Sequence, residues 1–238
     1  MTIIDATIAW LAHPAQWTGP AGIPQRTLEH LALSGVSLAI AIAVALPAGI
    51  WIGHTGRFAS FAVNLANLGR ALPTLAVIGL VLPITAAMDP QLGFRVYPIV
   101  IAMVVLAIPP ILVNAQAGIA GIDRDLVESA RAMGMRESQV VRQVELPLAV
   151  PAILTGIRSA AVQVIATTTL GAIFGAGGLG RYLVEGIAQL NTGMTFGGAF
   201  LVTALAVVVE GAFILGLRLI RSPGLARMDS RRAAPAAP

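Results

Sequence analysis

Cysteine and lysine are both absent from this chain of 238 residues. Without cysteine there is no disulfide and no thiolate metal site. Without lysine there is no Walker A phosphate loop, which needs Lys at the nucleotide phosphates; all fifteen basic residues are Arg. Charge is scarce as well. Charged residues make up 11% of the chain, where a soluble domain carries about a quarter. The three His residues, His13, His30 and His54, lack ligand spacing, so structural or interfacial roles are expected of them and no metal. No carboxylate pair or Ser/His/Asp set is placed for catalysis, so no catalytic residue is expected. The net charge of +4 collects at the flanks of apolar runs and not in a basic stripe. That is a membrane-topology pattern and gives no reason to expect a nucleic-acid partner.

What is abundant is apolar surface: 57% of residues are hydrophobic and mean hydropathy is +0.85. The chain reads as an all-α integral membrane protein with five transmembrane helices. Residues 1–27 hold a short apolar run with Trp10 and Trp17. This run is too short to cross a bilayer core of ~30 Å, lacks the basic leader of a signal peptide, and is expected to lie at the outer interface. The membrane domain covers 28–218, with spans at about His30–Gly53, Phe58–Leu82, Val96–Gly118, Leu148–Phe174 and Phe196–Arg218. Residues 83–95 are expected as a loop, and residues 219–238, basic and then rich in Ala and Pro, as a disordered cytoplasmic tail. Counting Arg sets the orientation. Arg57, the four from Arg124 to Arg142 and the five from Arg218 to Arg232 fall on one side, against Arg26, Arg95 and Arg181 on the other. The N-terminus is therefore expected outside and the C-terminus in the cytoplasm.

Between the third and fourth spans, residues 119–148 form a polar island. Asp123 or Asp125 can cap a helix there, with Leu126, Ala130 and Met133 on one face. Gly134 permits the positive-φ turn that ends it. A second short helix is expected from Glu137, with Val140, Val141 and Val144 as its apolar side, and Pro147 marks the boundary to the next span.

The string Glu128-Ser129-Ala130, then Gly134, then Val144-Glu145-Leu146-Pro147 resembles the EAA loop of ATP-binding-cassette importer permeases of the type I, methionine-permease-like fold. Ser129 and Val144 are mild departures from its Ala and Ile. The resemblance implies a coupling helix that docks in a groove of a cytoplasmic ATPase subunit, with Glu128, Ala130, Gly134, Leu146 and Pro147 as the matching positions. It also implies a second permease subunit, an extracytoplasmic substrate-binding protein, and ATP and Mg held by the partner ATPase, with no cofactor in this chain. Gly175-Ala176-Gly177-Gly178-Leu179-Gly180 after the fourth span resembles the osmoprotectant permeases for glycine betaine, carnitine and choline. The same string fits G-x-G-x-x-G, but a dinucleotide fold would need a preceding strand, so close packing or a flexible loop is the plainer expectation.

Within the spans, Asn64, Asn67, Arg70, Pro73 and Gln163 are candidates for a translocation path, although membrane Asn and Gln also bond neighbouring helices. Arg70 and Glu210 must face protein or water, and Arg158 can snorkel to the interface. Readings that compete with osmoprotectant import are a permease for another small solute such as methionine, an ATP-independent secondary carrier, and an intramembrane enzyme. The last two lack, respectively, a repeated half with broken helices and a catalytic constellation.

Overall fold

The structure is a computed structural model that describes residues 2–220. The tail from 221 onward, with the disorder expected of it, and the side chains of residues 61, 65, 70, 71 and 218–220, that of Arg70 among them, lie outside the described residues. Among the described residues every regular element is helical.

A capped helix, α1 (Ile3–Ala12), opens the chain. Thr2 and Asp5 satisfy each other's backbone N–H groups at its start. Helix α2 (Ile23–Thr55) carries Pro in its first turn and ends on Gly56 at φ 67°, the left-handed stop that glycine supplies without strain. Next come α3 (Ala59–Ala71) and α4 (Thr74–Met88), bent by 90° relative to each other. The sequence reading drew one span here, ending at Leu82. Instead Leu72 and Pro73 are both extended, because proline disfavours helical backbone in the residue before it. Helix α4 then runs past Pro83 into the expected loop. A short turn, α5 (Leu92–Arg95), leads into α6 (Tyr97–Ala120).

The polar island supplies α7 (Arg124–Ala132) and α8 (Glu137–Gln139). A π-helical turn at Val140–Glu145 joins α8 to α9 (Leu146–Thr168), which tightens into a 3-10 turn at Thr169–Phe174. The chain closes with α10 (Gly180–Ala188) and α11 (Thr192–Ile220). By length and composition four helical stretches can cross a membrane, and a fifth if the bent α3–α4 pair is one span.

Helix α6 is the centre, packed on both α2 and α9, which also touch each other. Small residues let the backbones touch, as membrane helices require. A Cβ on Gly49 would stand 2.8 Å from the Leu112 carbonyl oxygen, and one on Gly156 would stand 2.7 Å from the Pro110 carbonyl oxygen. The apolar core follows this seam: Ala41, Ala45, Ile99, Met103, Ile111, Ala160 and Val164. Pro109 and Pro110 are buried inside α6, and Asn114 Nδ2 donates to the Pro110 carbonyl one turn back, so its side chain is engaged within its own helix. Helix α11 is peripheral. It packs on α1, α9 and α10, and Arg158 of α9 reaches Glu210 of α11 at 3.2 Å. That pairing neutralises both charges within the apolar span. Helix α1 lies along the start of α11, where Gly193 and Gly197 meet Ala6 and Trp10. Trp10 also packs edge-on against Tyr182, 5.0 Å between ring centroids, so this tryptophan is a packing residue as well as an anchor.

Candidate coupling surface

Helix α7 begins where Asp123 caps it, Oδ1 accepting from the Asp125 N–H at 3.0 Å. It ends where Gly134 turns left-handed at φ 86°. The Met135 N–H then closes back on the Ala130 carbonyl, and the Gly134 N–H on that of Arg131. No atom lies within 4 Å of a Cβ built on Gly134. Backbone conformation, and not lack of room, therefore demands glycine here, as the positive-φ turn expected at this position requires.

The buried face of α7 is Val127 and Ala130, which close a small core with Val140. Leu126 and Met133, expected on one face with Ala130, do not share its burial: they are 47% and 77% exposed, against 1% for Ala130. Glu128 is exposed beside them. A short helix that shows two large apolar side chains and a carboxylate to the outside has a surface suited to a partner.

The expected second short helix is not separate. Glu137–Phe174 runs as one continuous helical stretch. The π-helical turn makes this possible. In a regular helix the Pro147 ring would clash with the carbonyl four residues back and leave it unpaired. In the wider turn the Leu146 N–H reaches the Val141 carbonyl instead, five residues back. Leu146 is half-buried against Ala149 and Ile153, while Pro147 is exposed in the first turn of α9.

A charged network that sequence reasoning missed fixes the corner. Arg131 grips Glu137 with two parallel bonds, Nε to Oε1 at 2.9 Å and Nη2 to Oε2 at 3.0 Å. The Arg131 guanidinium holds the Glu137 carboxyl below its ordinary range, and is itself held more firmly charged. His54, in the last turn of α2, places Nε2 3.1 Å from Glu137 and Nδ1 2.8 Å from the buried Glu145. Helix α2, the start of α8 and the turn leading into α9 thus meet at one imidazole, and α7 joins them through Arg131. No local pattern announces it, because His54 and Glu145 lie 91 residues apart; the usable hint was a carboxylate in the otherwise apolar entry to a span. A cavity of about 300 Å³ opens beside the network, lined by Gly56, Arg124, Glu128 and Glu145 among others.

Among the described residues, Asn64, Asn67, Pro73 and Gln163 line neither this cavity nor the one at the opposite end of the molecule. Asn64 and Asn67 are exposed on α3, Gln163 is exposed on α9, and Pro73 is exposed at the elbow between α3 and α4. Both α3 and α9 pack on α6.

At the opposite end, the Gly-rich string packs against α2. The Gly178 N–H donates to Glu29 Oε2 at 2.8 Å. A Cβ on Gly177 would overlap the Glu29 carboxylate, and Gly178, at φ 90°, leaves room for His30. His30 is fully buried, with Nε2 2.9 Å from the Ile165 carbonyl. Tyr182 donates to the Ala21 carbonyl at 2.7 Å, and burial pushes its hydroxyl up to about 12, so this bond persists at any working pH. The close-packing reading of the string therefore holds.

Comparison with known proteins agrees with this architecture. Residues 45–227 match the family described as binding-protein-dependent transport system inner membrane component. A carnitine transport permease of Listeria monocytogenes is 38% identical over 191 residues, covering 80% of this chain and 84% of the relative. A choline transport system permease of Bacillus subtilis (strain 168) is 32% identical over 203 residues, covering 85% and 90%. An osmoprotectant import permease of Salmonella typhimurium is 33% identical over 184 residues, covering 77% and 85%. Among solved structures, an inward-facing form of the MetNI methionine ABC transporter superposes with a TM-score of 0.76 at 22% identity, covering 89% of this chain and 100% of that one.

Proposed function

Since the chain belongs to the binding-protein-dependent transport system inner membrane component family, we propose that it is the membrane-spanning permease of an ATP-binding-cassette importer for quaternary-amine osmoprotectants of the glycine betaine, carnitine and choline class. The observation that carries the mechanism is α7, a short helix standing off the bundle with Leu126, Met133 and Glu128 exposed. The solute class is supported by relatives named for carnitine, choline and osmoprotectant transport. The likeness to the methionine system, at 22% identity, speaks for the fold alone.

In this reading α7 docks in a groove of a cytoplasmic ATPase, which holds ATP and Mg, while this chain carries no cofactor. Ala130 and Gly134 shape the docking helix, Glu128 offers it a charge, and Leu146 and Pro147 join it to α9. The N-terminus lies outside and the C-terminus in the cytoplasm. Asn64, Asn67 and Gln163 are exposed at membrane depth, where an uncovered polar group is costly. That favours a second permease subunit over this face, with a water-filled path between the two. The bend at Pro73 gives α3 and α4 a hinge to open and close it. An extracytoplasmic binding protein delivers the solute, because a chain with 5% aromatics is poorly equipped to build an aromatic cage for a quaternary ammonium.

The test is uptake of labelled glycine betaine, choline and methionine by cells carrying the whole system, with and without the binding protein. Quaternary-amine uptake that needs the binding protein and rises under hyperosmotic stress is expected. Methionine uptake with no response to either amine would transfer the assignment to methionine.

A further inference from the structure

A second cavity, of about 560 Å³, lies at the end of the molecule opposite α7. Glu29 and His54 sit 25 positions apart on one helix, so about 37 Å separates this cavity from the coupling corner. The volume suits a small solute. Its polar lining is Arg26 and Glu29 from α2, Arg95 from the end of α5, and Arg181 from α10, with Leu33 and Val96 among its apolar walls.

The charges are unbalanced in a particular way. The one carboxylate is already engaged: Glu29 Oε2 accepts from Arg26 Nη1 at 2.9 Å and from the Gly178 N–H at 2.8 Å. Arg181 pairs with Glu185 on its own helix. Among the described residues no carboxylate lies within ion-pair distance of Arg95, and Arg26 Nε is buried with no partner. The loop beside Arg95 is glycine at 175 and 177, and a Cβ on Gly175 would stand 3.7 Å from Arg95 Nε. Bare backbone therefore flanks the guanidinium and no side chain covers it. No aromatic residue lines the cavity, so it has no cation–π means of gripping a quaternary ammonium. What it offers is a planar fork of donors, the arrangement that takes a carboxylate in bidentate fashion.

We propose that this outer cavity is a carboxylate-selecting site: Arg95, flanked by Arg26 and Arg181, receives the carboxylate of a zwitterionic quaternary amine released at the outer mouth. It rests on the quaternary-amine reading above and sharpens it. Solutes that carry a carboxylate, such as glycine betaine and carnitine, are taken through this site, whereas choline, which has a hydroxyl in its place, gains nothing from it.

The experiment uses the complete system in cells, with labelled glycine betaine, carnitine and choline at concentrations below saturation. Wild type, Arg95→Gln and Arg95→Lys are compared, and pull-down of the binding protein is measured in parallel. Losing one charged bidentate contact is worth about tenfold or more. Arg95→Gln is therefore expected to lower betaine and carnitine uptake by about that factor through KM, and Arg95→Lys by less, with choline uptake serving as the internal control for folding and assembly. Unchanged betaine and carnitine uptake would overturn the assignment. So would equal loss of all three solutes with weakened pull-down, which would hand Arg95 to an acidic side chain of the binding protein. Wild-type cells that take up choline alone would also refute it. If wild-type cells take up no quaternary amine, the parent reading itself has failed, and that result is visible before any variant is made.

Discussion

At the scale of single residues, Gly134 and Glu137 bear most on the proposed coupling. Gly134 holds φ 86° with open space around it. Side chains differ here by their tolerance of the left-handed region, which costs a typical residue roughly 1–2 kcal/mol and Asn much less. Gly134→Asn is expected to retain more solute uptake and more ATPase association than Gly134→Val, with both variants inserted at normal levels. Equal behaviour of the two would return the argument to sterics. Glu137 titrates below its ordinary value of 4.5 because Arg131 grips it. A depressed folded value means that the contribution to stability is complete above the ordinary value and is lost as pH falls through the lower, folded one. In the purified permease, a pH scan of thermal stability is expected to show an acid limb below about 4.5 that Glu137→Gln partly flattens. Some residue-scale features were legible in the sequence: the Asp123 cap and the Gly134 turn are local, and their chemistry is written in adjacent positions. The facing of Leu126 and Met133 was not, because helical spacing alone gives two apolar faces and the choice is made by what Val140 packs against.

At the scale of elements, the joint between α8 and α9 is the clearest departure from the sequence reading. Pro147 reads in the sequence as the boundary between two segments, yet proline is equally at home in the first turn of a helix, and the π-helical turn before it lets one helix absorb both segments. Pro147→Ala removes the reason for the wide turn. If the turn then relaxes to a regular helix, everything N-terminal to it rotates by about 100°, one residue's worth. Uptake and ATPase association are expected to fall while membrane insertion is kept. Full activity of Pro147→Ala would mean that the turn is held by tertiary packing alone. The break between α3 and α4 was also visible in principle, since Pro73 stands in the sequence. Unbroken hydropathy across 58–82 outweighed it, because hydropathy measures where a segment sits and is blind to its bends.

For the whole molecule, the spans were legible because a bilayer imposes length and apolarity on each helix separately. Their mutual arrangement was not, since it depends on glycine contacts and on hydrogen bonds such as His54–Glu145 between distant parts of the chain. Orientation remains open to a direct check. The chain has no native cysteine, so single cysteines can be read without background. Ser138→Cys, beside the coupling corner, is expected to react only from the cytoplasm, and Thr192→Cys, at the start of α11, only from outside. Reaction of both from one face would refute the five-span topology.

The backbone-close seam that joins α2, α6 and α9 leaves little room for these helices to slide past one another. Glu29 bonds the Gly-rich loop at one end of α2, and His54 bonds Glu145 at the other. Mechanically this is a slab clamped at both rims, and a slab transmits tilt. A rotation of about 10° about the inner rim would sweep the outer one by about 6 Å, given the helical rise along α2. In the proposed importer, a displacement at the α7 end is therefore carried to the opposite end with no separate actuator there.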